Sequence, residues 1–131
     1  MGKLTPEMKE MLGKQLTFVA TADKAGLTNV GPKGSTIVVD DDTLAYAESA
    51  ANKTLRNLEQ NPNISVLVFD LEKREGYQFK GTTELIKEGP LFDTISERQS
   101  KRSRPLPKAV AKISITEIYQ FKTGVPSTRV A

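Results

Sequence analysis

Ser49-Ala50-Ala51-Asn52-Lys53-Thr54-Leu55-Arg56-Asn57-Leu58-Glu59-Gln60-Asn61-Pro62, followed by Ile64-Ser65-Val66-Leu67-Val68-Phe69, is the stretch that orders the rest of the chain. Leu55 and Leu58 fall on one face of a short helix. Asn61-Pro62 stops it, because a residue before proline is driven out of the helical region. Ser49 or Asn52 can cap its start with a side-chain oxygen. The segment from Ile64 to Leu71 is apolar without clean alternation and reads as a buried strand. A second strand-like segment, Thr43 to Ala47, leads into the helix from the other side.

Working outward, hairpin signals repeat in both directions. Gln15 to Thr21 is strand-like, Asp23-Lys24-Ala25-Gly26 is a turn, and Leu27 to Val30 returns. Gly31-Pro32-Lys33-Gly34 predicts a kink or bulge before the β-branched strand Ser35 to Val39. Asp40-Asp41-Asp42 is spaced too compactly for a cation loop and reads as a solvated turn. At the start, Thr5-Pro6-Glu7 opens a helix carrying Met8, Met11 and Leu12, ending near Gly13. Downstream, Glu72 to Gly76 is a charged turn, and Tyr77 to Ile86 alternates as a strand. Gly89-Pro90 begins a helix through about Gln99, and Ser100 to Lys108 is a basic, proline-broken loop. Ala109 to Lys122 is a long isoleucine-rich strand, and Gly124 onward reads as a polar tail. The expected fold is mainly β. It is an antiparallel barrel of six or seven strands with two or three short helices outside, forming one domain over residues 1–131.

The 131 residues include no cysteine and no histidine. Disulfides, thiolate metal sites, cysteine nucleophiles, serine–histidine triads and histidine-based zinc sites are therefore excluded. Chemistry must come from Lys, Arg, Asp, Glu, Tyr, Ser or Thr, or from a bound cofactor. Lys and Arg number 19 against 16 Asp and Glu, a net charge of +3. That suits an anionic ligand but is too weak to argue for nucleic acid. No stretch is long and apolar enough to span a membrane, and Met1-Gly2-Lys3-Leu4-Thr5-Pro6 does not read as a signal peptide. The expectation is a cytoplasmic protein with no membrane partner.

The pattern Ser49…Asn52-Lys53-Thr54 sits at a strand-to-helix junction. Free backbone N–H groups and the positive dipole end bind anions there. Lys53 adds a charge, and Ser49, Asn52 and Thr54 add donors, so the group can cradle a phosphate. It lacks the glycine-rich loop of a Walker motif. On residues alone, a capped surface helix with an exposed lysine is the simpler reading. Lys33, with Ser35 and Thr36, forms a second candidate beside the glycine–proline stretch; taken alone, an exposed strand lysine with β-branched neighbours explains it better. Gln78 and Lys80 share a strand face that is either a cleft wall or solvent-facing. The basic loop with Lys101, Arg102, Arg104 and Lys108 has no interleaved aromatic for stacking bases, so a mobile, solvated loop is expected and nucleic acid is not.

The order of segments resembles the pyridoxamine 5′-phosphate oxidase-like family of FMN-binding split β-barrels, especially its small members. The resemblance covers residues 15–122. It is carried by Val19-Ala20-Thr21, Asn29-Val30-Gly31-Pro32-Lys33, Leu44-Ala45-Tyr46, Asn52-Lys53-Thr54 with Leu58 and Asn61-Pro62, Ile64 to Phe69, and Tyr77-Gln78-Phe79-Lys80-Gly81. It implies a homodimer with FMN at the subunit interface and a small-molecule redox partner. Lys53 and Thr54, with Asn52 beside them, match the phosphate-binding positions. Lys33, Gly34, Ser35 and Thr36 match the strand that meets the flavin ring and ribityl chain. Glu48 and Ser49 match the turn into the phosphate site. The full-length oxidase uses a C-terminal arginine and histidine at its substrate site. This chain has no histidine and ends Ser127-Thr128-Arg129-Val130-Ala131, so pyridoxamine phosphate is not the expected substrate. The resemblance implies an FMN-dependent oxidoreductase. The alternative is a non-catalytic flavin or deazaflavin carrier; ordinary haem ligation is disfavoured without histidine.

Overall fold

The computed structural model describes residues 2–50 and 52–131; Ala51, in the stretch read as the approach to the helix, lies outside them. The chain order is α1 (Pro6–Lys14), β1 (Thr17–Ala22), β2 (Thr28–Lys33), β3 (Ile37–Asp40), β4 (Thr43–Glu48), α2 (Lys53–Gln60), β5 (Asn63–Asp70), β6 (Glu75–Ile86), α3 (Pro90–Lys101), β7 (Ala109–Lys122) and β8 (Val125–Arg129). All strand pairs are antiparallel. Their order across the sheet is β2-β1-β5-β6-β7-β4-β3, with β8 added on β7. The described residues form an antiparallel split β-barrel with three helices packed outside.

Local chemistry explains most of these elements. Thr5 caps α1 by accepting from the Met8 amide, with Pro6 in the first turn. Met8, Met11 and Leu12 then face the barrel and join its core. That core is built from alternate residues of the strands, including Val19, Val66, Val68, Phe79, Ile113, Ile115 and Ile118, and α2 adds Leu58. Strand β4 is buried along its whole length. Leu44 and Tyr46 face the barrel interior, while Ala45 and Ala47 pack with Ile95 under α3. Strand β7 is long because its first half carries β4 and its last residues carry β8. Among the described residues, no helix is long and apolar enough to cross a membrane.

Four expectations need correction. The C-terminal tail is strand β8, which pairs with Tyr119, Gln120 and Lys122 and makes eight strands among the described residues rather than six or seven. Its composition is polar because all five residues are exposed, so no hydrophobic pattern marked it. The glycine–proline stretch does not break a strand: β2 runs through Gly31 and Pro32, and the break falls at 34–36. Proline is tolerated there because β2 is the edge of the sheet. Finally, β5 is half-buried rather than enclosed, with Ile64, Val66 and Val68 inside and Leu67 outside.

Gly81 sits where the β6–β7 register slips by one residue. A Cβ there would collide with the Ser114 carbonyl. Backbone cannot yield as a flexible side chain can, so Gly81→Ala is expected to cost about 2–3 kcal/mol in urea unfolding. A loss within error of zero would show that the bulge tolerates a side chain.

Candidate cofactor site

The hollow at the start of α2 is assembled from two elements. Asn52 caps the helix by accepting from the Leu55 amide at 3.2 Å. The amides of Lys53 and Thr54 begin the helix and have no partner in its own ladder. Strand β2 turns Asn29, Gly31 and Lys33 toward this helix start, because these residues pair with the inward-facing Thr21, Val19 and Thr17 of β1. The Asn29 side-chain amide donates to the Thr54 hydroxyl at 3.1 Å, which fixes the helix against the strand. Thr54 is buried, whereas Asn52, Lys53 and Arg56 are exposed on the rim. The hollow measures about 420 Å³.

Its electrostatics are unusual for a helix start. Acidic residues normally occupy the first turn, where the helix dipole is positive. Helices α1 and α3 follow that rule with Glu7 and Asp93. Helix α2 has no acidic residue in its first turn and instead carries Lys53 there, with Arg56 three positions on. Two cations on one helix face repel each other and the dipole. The arrangement suits a bound anion.

Lys33 approaches the same hollow from β2. Its ammonium lies 2.6 Å from Glu48 Oε1, with the two side chains 11% and 0% exposed. The Tyr46 hydroxyl donates to Glu48 Oε2 at 3.1 Å. The lysine also sits 5.2 Å from the Tyr46 ring centroid, within range of a cation–π contact. Burial, reinforced by the Glu48 charge, pushes the Tyr46 hydroxyl far above the usual tyrosine range. It therefore remains a donor at any working pH. Both Glu48 oxygens are engaged, and the carboxylate holds Lys33 in place rather than facing solvent.

The turn between β2 and β3 closes the seam of the barrel with side chains instead of a ladder. Ser35 Oγ accepts from the Ala47 amide at 2.9 Å. The Thr17 and Thr36 hydroxyls meet at 2.7 Å, and Thr17 donates to the Lys33 carbonyl at 2.7 Å. A second hollow of about 510 Å³ opens on the other side of this turn, reaching Gly34, Thr36 and the end of α3. Lys33 lines both hollows. Of the residues singled out in the sequence, Lys33, Asn52, Lys53 and Thr54 meet in the first hollow. Gly34 and Thr36 line the second. Ser35, Glu48 and Ser49 line neither. Ser49 donates to the Pro105 carbonyl at 3.2 Å, tying the basic loop to the end of β4.

A family model described as pyridoxamine 5′-phosphate oxidase matches residues 4–122. The chain belongs to this pyridoxamine 5′-phosphate oxidase family. Within it, the chain is similar to the uncharacterized protein MJ0282 of Methanocaldococcus jannaschii, 38% identical over 126 residues, which spans 93% of this chain and 83% of that protein. The crystal structure of HupZ from Group A Streptococcus superposes with a TM-score of 0.87 at 36% identity, covering 93% of this chain and 97% of that one. A candidate pyridoxamine 5′-phosphate oxidase from Lactobacillus delbrueckii gives 0.77 at 25% identity, over 90% and 94% of the two chains.

Set in this family fold, several site residues escape sequence reading. Arg56 carried a signal, since it follows Lys53 by three positions on one helix face. Asn29 stood only within a segment carrying the family resemblance; its contact with Thr54 spans 25 positions and has no local signal. The basic loop is exposed from Ser100 to Leu106, and hydrogen bonds anchor its two ends. Gln99 is buried and donates to the Pro105 carbonyl at 3.1 Å, and the Lys108 amide donates to the Glu48 carbonyl at 2.8 Å. The solvent-facing reading of β6 holds for Lys80, which is exposed, while Gln78 is half-buried.

Proposed function

We propose that this chain binds FMN and passes electrons or hydride through it to a small-molecule redox partner. The observation that carries this reading is the acid-free start of α2, with Lys53 and Arg56 at its positive end inside a hollow. A phosphate dianion there relieves the repulsion between the cations and completes the helix start. The residues present fit the group: two exposed cations, Lys53 and Arg56, line one concavity with Asn52 and Thr54 at the positive end of the helix. In this reading Lys53, Arg56 and the first-turn amides hold the phosphate. Lys33, fixed by Glu48, and the turn at Gly34, Ser35 and Thr36 border the ribityl chain and ring. When bound, the flavin supplies the redox chemistry; the protein supplies orientation and electrostatics. No side chain is assigned as a general acid or base.

The test is an absorption spectrum of the purified protein after adding FMN and desalting. Retained near-ultraviolet and blue bands at one flavin per chain are expected. A colourless protein overturns the reading, and tighter uptake of a deazaflavin in competition would replace it with the carrier alternative. Failure of every nicotinamide and small reductant to bleach bound flavin would remove the oxidoreductase part.

We further propose that the protein acts as a homodimer with the flavin site at the subunit interface. The outer face of β2, β1 and β5 carries an apolar row that a soluble monomer seldom displays. Phe18, 39% exposed, pairs in register with Pro32 on one side and with Leu67, 37% exposed, on the other. Val30 and Leu16 extend the row. Phe18→Glu is expected to give a monomer by light scattering and to lower flavin retention. A variant that keeps the parent's mass would exclude this face from the interface.

A further inference from the structure

We infer that the buried Lys33–Glu48 pair sets the reduction potential of bound flavin, Lys33 drawing it up and Glu48, acting through Lys33, holding it down; this rests on the flavin reading above. Lys33 borders both hollows, whereas Glu48 borders neither. The ammonium lies 2.6 Å from Glu48 Oε1, with the carboxylate fully enclosed and the lysine side chain 11% exposed. The cationic member therefore stands next to the ligand space, and its counter-charge lies behind it.

The carboxylate is fixed from several sides. Its second oxygen accepts from the Tyr46 hydroxyl at 3.1 Å, and Tyr46 is itself fully buried. The Glu48 backbone pairs with Ala109 at the start of β7, and its carbonyl accepts from the Lys108 amide at 2.8 Å. Glu48 thus cannot turn toward the hollows without breaking core hydrogen bonds. The tyrosine donates to the oxygen that Lys33 leaves free, which stabilises negative charge on the side away from the lysine. Other cations stand nearby, but Lys53, Arg56, Arg98, Arg102 and Arg104 are all exposed. Water and salt screen exposed charges, whereas a buried pair acts through protein of low dielectric. The pair is therefore the strongest fixed electrostatic feature at this border.

Charge bookkeeping gives the sign. Hydride transfer from a small-molecule donor brings two electrons and one proton to the flavin ring, and the donor leaves oxidised by the same two electrons. Near neutral pH the ring, uncharged before, then carries one negative charge. Positive potential beside the ligand space favours that form and raises the reduction potential; negative potential lowers it. An unpaired Lys33 would pull strongly. With Glu48 behind it, the lysine keeps only the positive end of a short dipole, so the pull is moderate. The pair accounts for a lysine kept charged at the site without the full field of a free cation.

The experiment loads the full chain with FMN and measures the reduction potential of the bound flavin anaerobically against a reference dye, near neutral pH and at fixed ionic strength. Glu48→Gln removes the negative charge and keeps a carbonyl oxygen for the Tyr46 hydroxyl. It is expected to favour reduced over oxidised flavin by about tenfold or more relative to the parent, a rise of about 30 mV for a two-electron couple. The double variant Glu48→Gln/Lys33→Met removes both charges and is expected to fall below the parent by about threefold or more in the same ratio. The opposite signs separate charge from packing, since a merely loosened site would move both variants the same way. Lys101→Gln, whose parent lysine pairs with Glu97 on the exposed side of α3, is expected to stay within about twofold. Where Glu48→Gln does not fold, the double variant carries the test, and a potential at the parent value overturns the inference. A flavin-loaded Glu48→Gln at or below the parent potential overturns it too, while leaving flavin binding in place. A parent protein that takes up no FMN overturns the flavin reading and this inference together.

Discussion

Replacing Glu48 by alanine is expected to lower stability by about 3–5 kcal/mol, the cost of removing one partner from a buried ion pair. The carboxylate is fully enclosed and serves two donors, Lys33 at 2.6 Å and the Tyr46 hydroxyl at 3.1 Å. Without it, the ammonium keeps one narrow route to water, since the lysine side chain is 11% exposed. The tyrosine hydroxyl loses its acceptor inside the core, which by itself costs about 1–3 kcal/mol. The control is a double variant, Glu48→Gln with Lys33→Met, which removes the charge on both sides. It is expected to be markedly more stable than Glu48→Ala, because an uncompensated buried charge is costlier than an apolar replacement for the pair. Urea unfolding of all variants gives the comparison. A Glu48→Ala protein within about 1 kcal/mol of the parent would show that water reaches the pair freely.

Removing both cations from the start of α2 is expected to move two properties in opposite directions. Lys53→Ala and Arg56→Ala each delete a charge-assisted contact to the flavin phosphate, worth about 1–3 kcal/mol apiece. The double variant should therefore bind FMN about a hundredfold or more weakly. The protein without flavin should gain stability, by about 0.3–1 kcal/mol, as like charges leave the positive helix end and alanine favours the helix. Flavin titration reads the first effect and thermal unfolding of flavin-free protein the second. A loss of stability together with unchanged flavin affinity would assign these residues to the fold and remove them from the site.

The hairpin order was legible because each local signal has a local cause. Asp23 to Gly26, the turn after Asp70 and the proline after Asn61 all act within a few residues. The capping of α2 by Asn52 belongs to the same class. What stayed hidden depends on partners far along the chain. Lys33 reads as an exposed strand lysine until β4 brings Glu48 beside it, 15 positions away. Strand β8 has no apolar pattern because it hydrogen-bonds to β7 while exposing every side chain. In the candidate site, Lys53 was visible from its place at a helix start, and the family resemblance sharpened its meaning. Arg102 and Arg104 read only as part of a solvated basic loop, because neither Gln99's bond to Pro105 nor the left-handed Ser103 has a sequence signature.

The two ends of the strand order, β2 and β3, bear on how this protein avoids sticking to itself. An open strand edge offers free amides and carbonyls to any passing chain and invites runaway stacking. Strand β3 is only four residues long and ends at Asp40, followed by two more aspartates. Strand β2 carries Pro32, which has no N–H to give, and finishes on a lysine whose charge is already committed inward. An incoming strand therefore meets a short acidic edge on one side and an interrupted one on the other. The seam between these strands, bridged by side chains instead of a ladder, is thereby kept from becoming a template for aggregation.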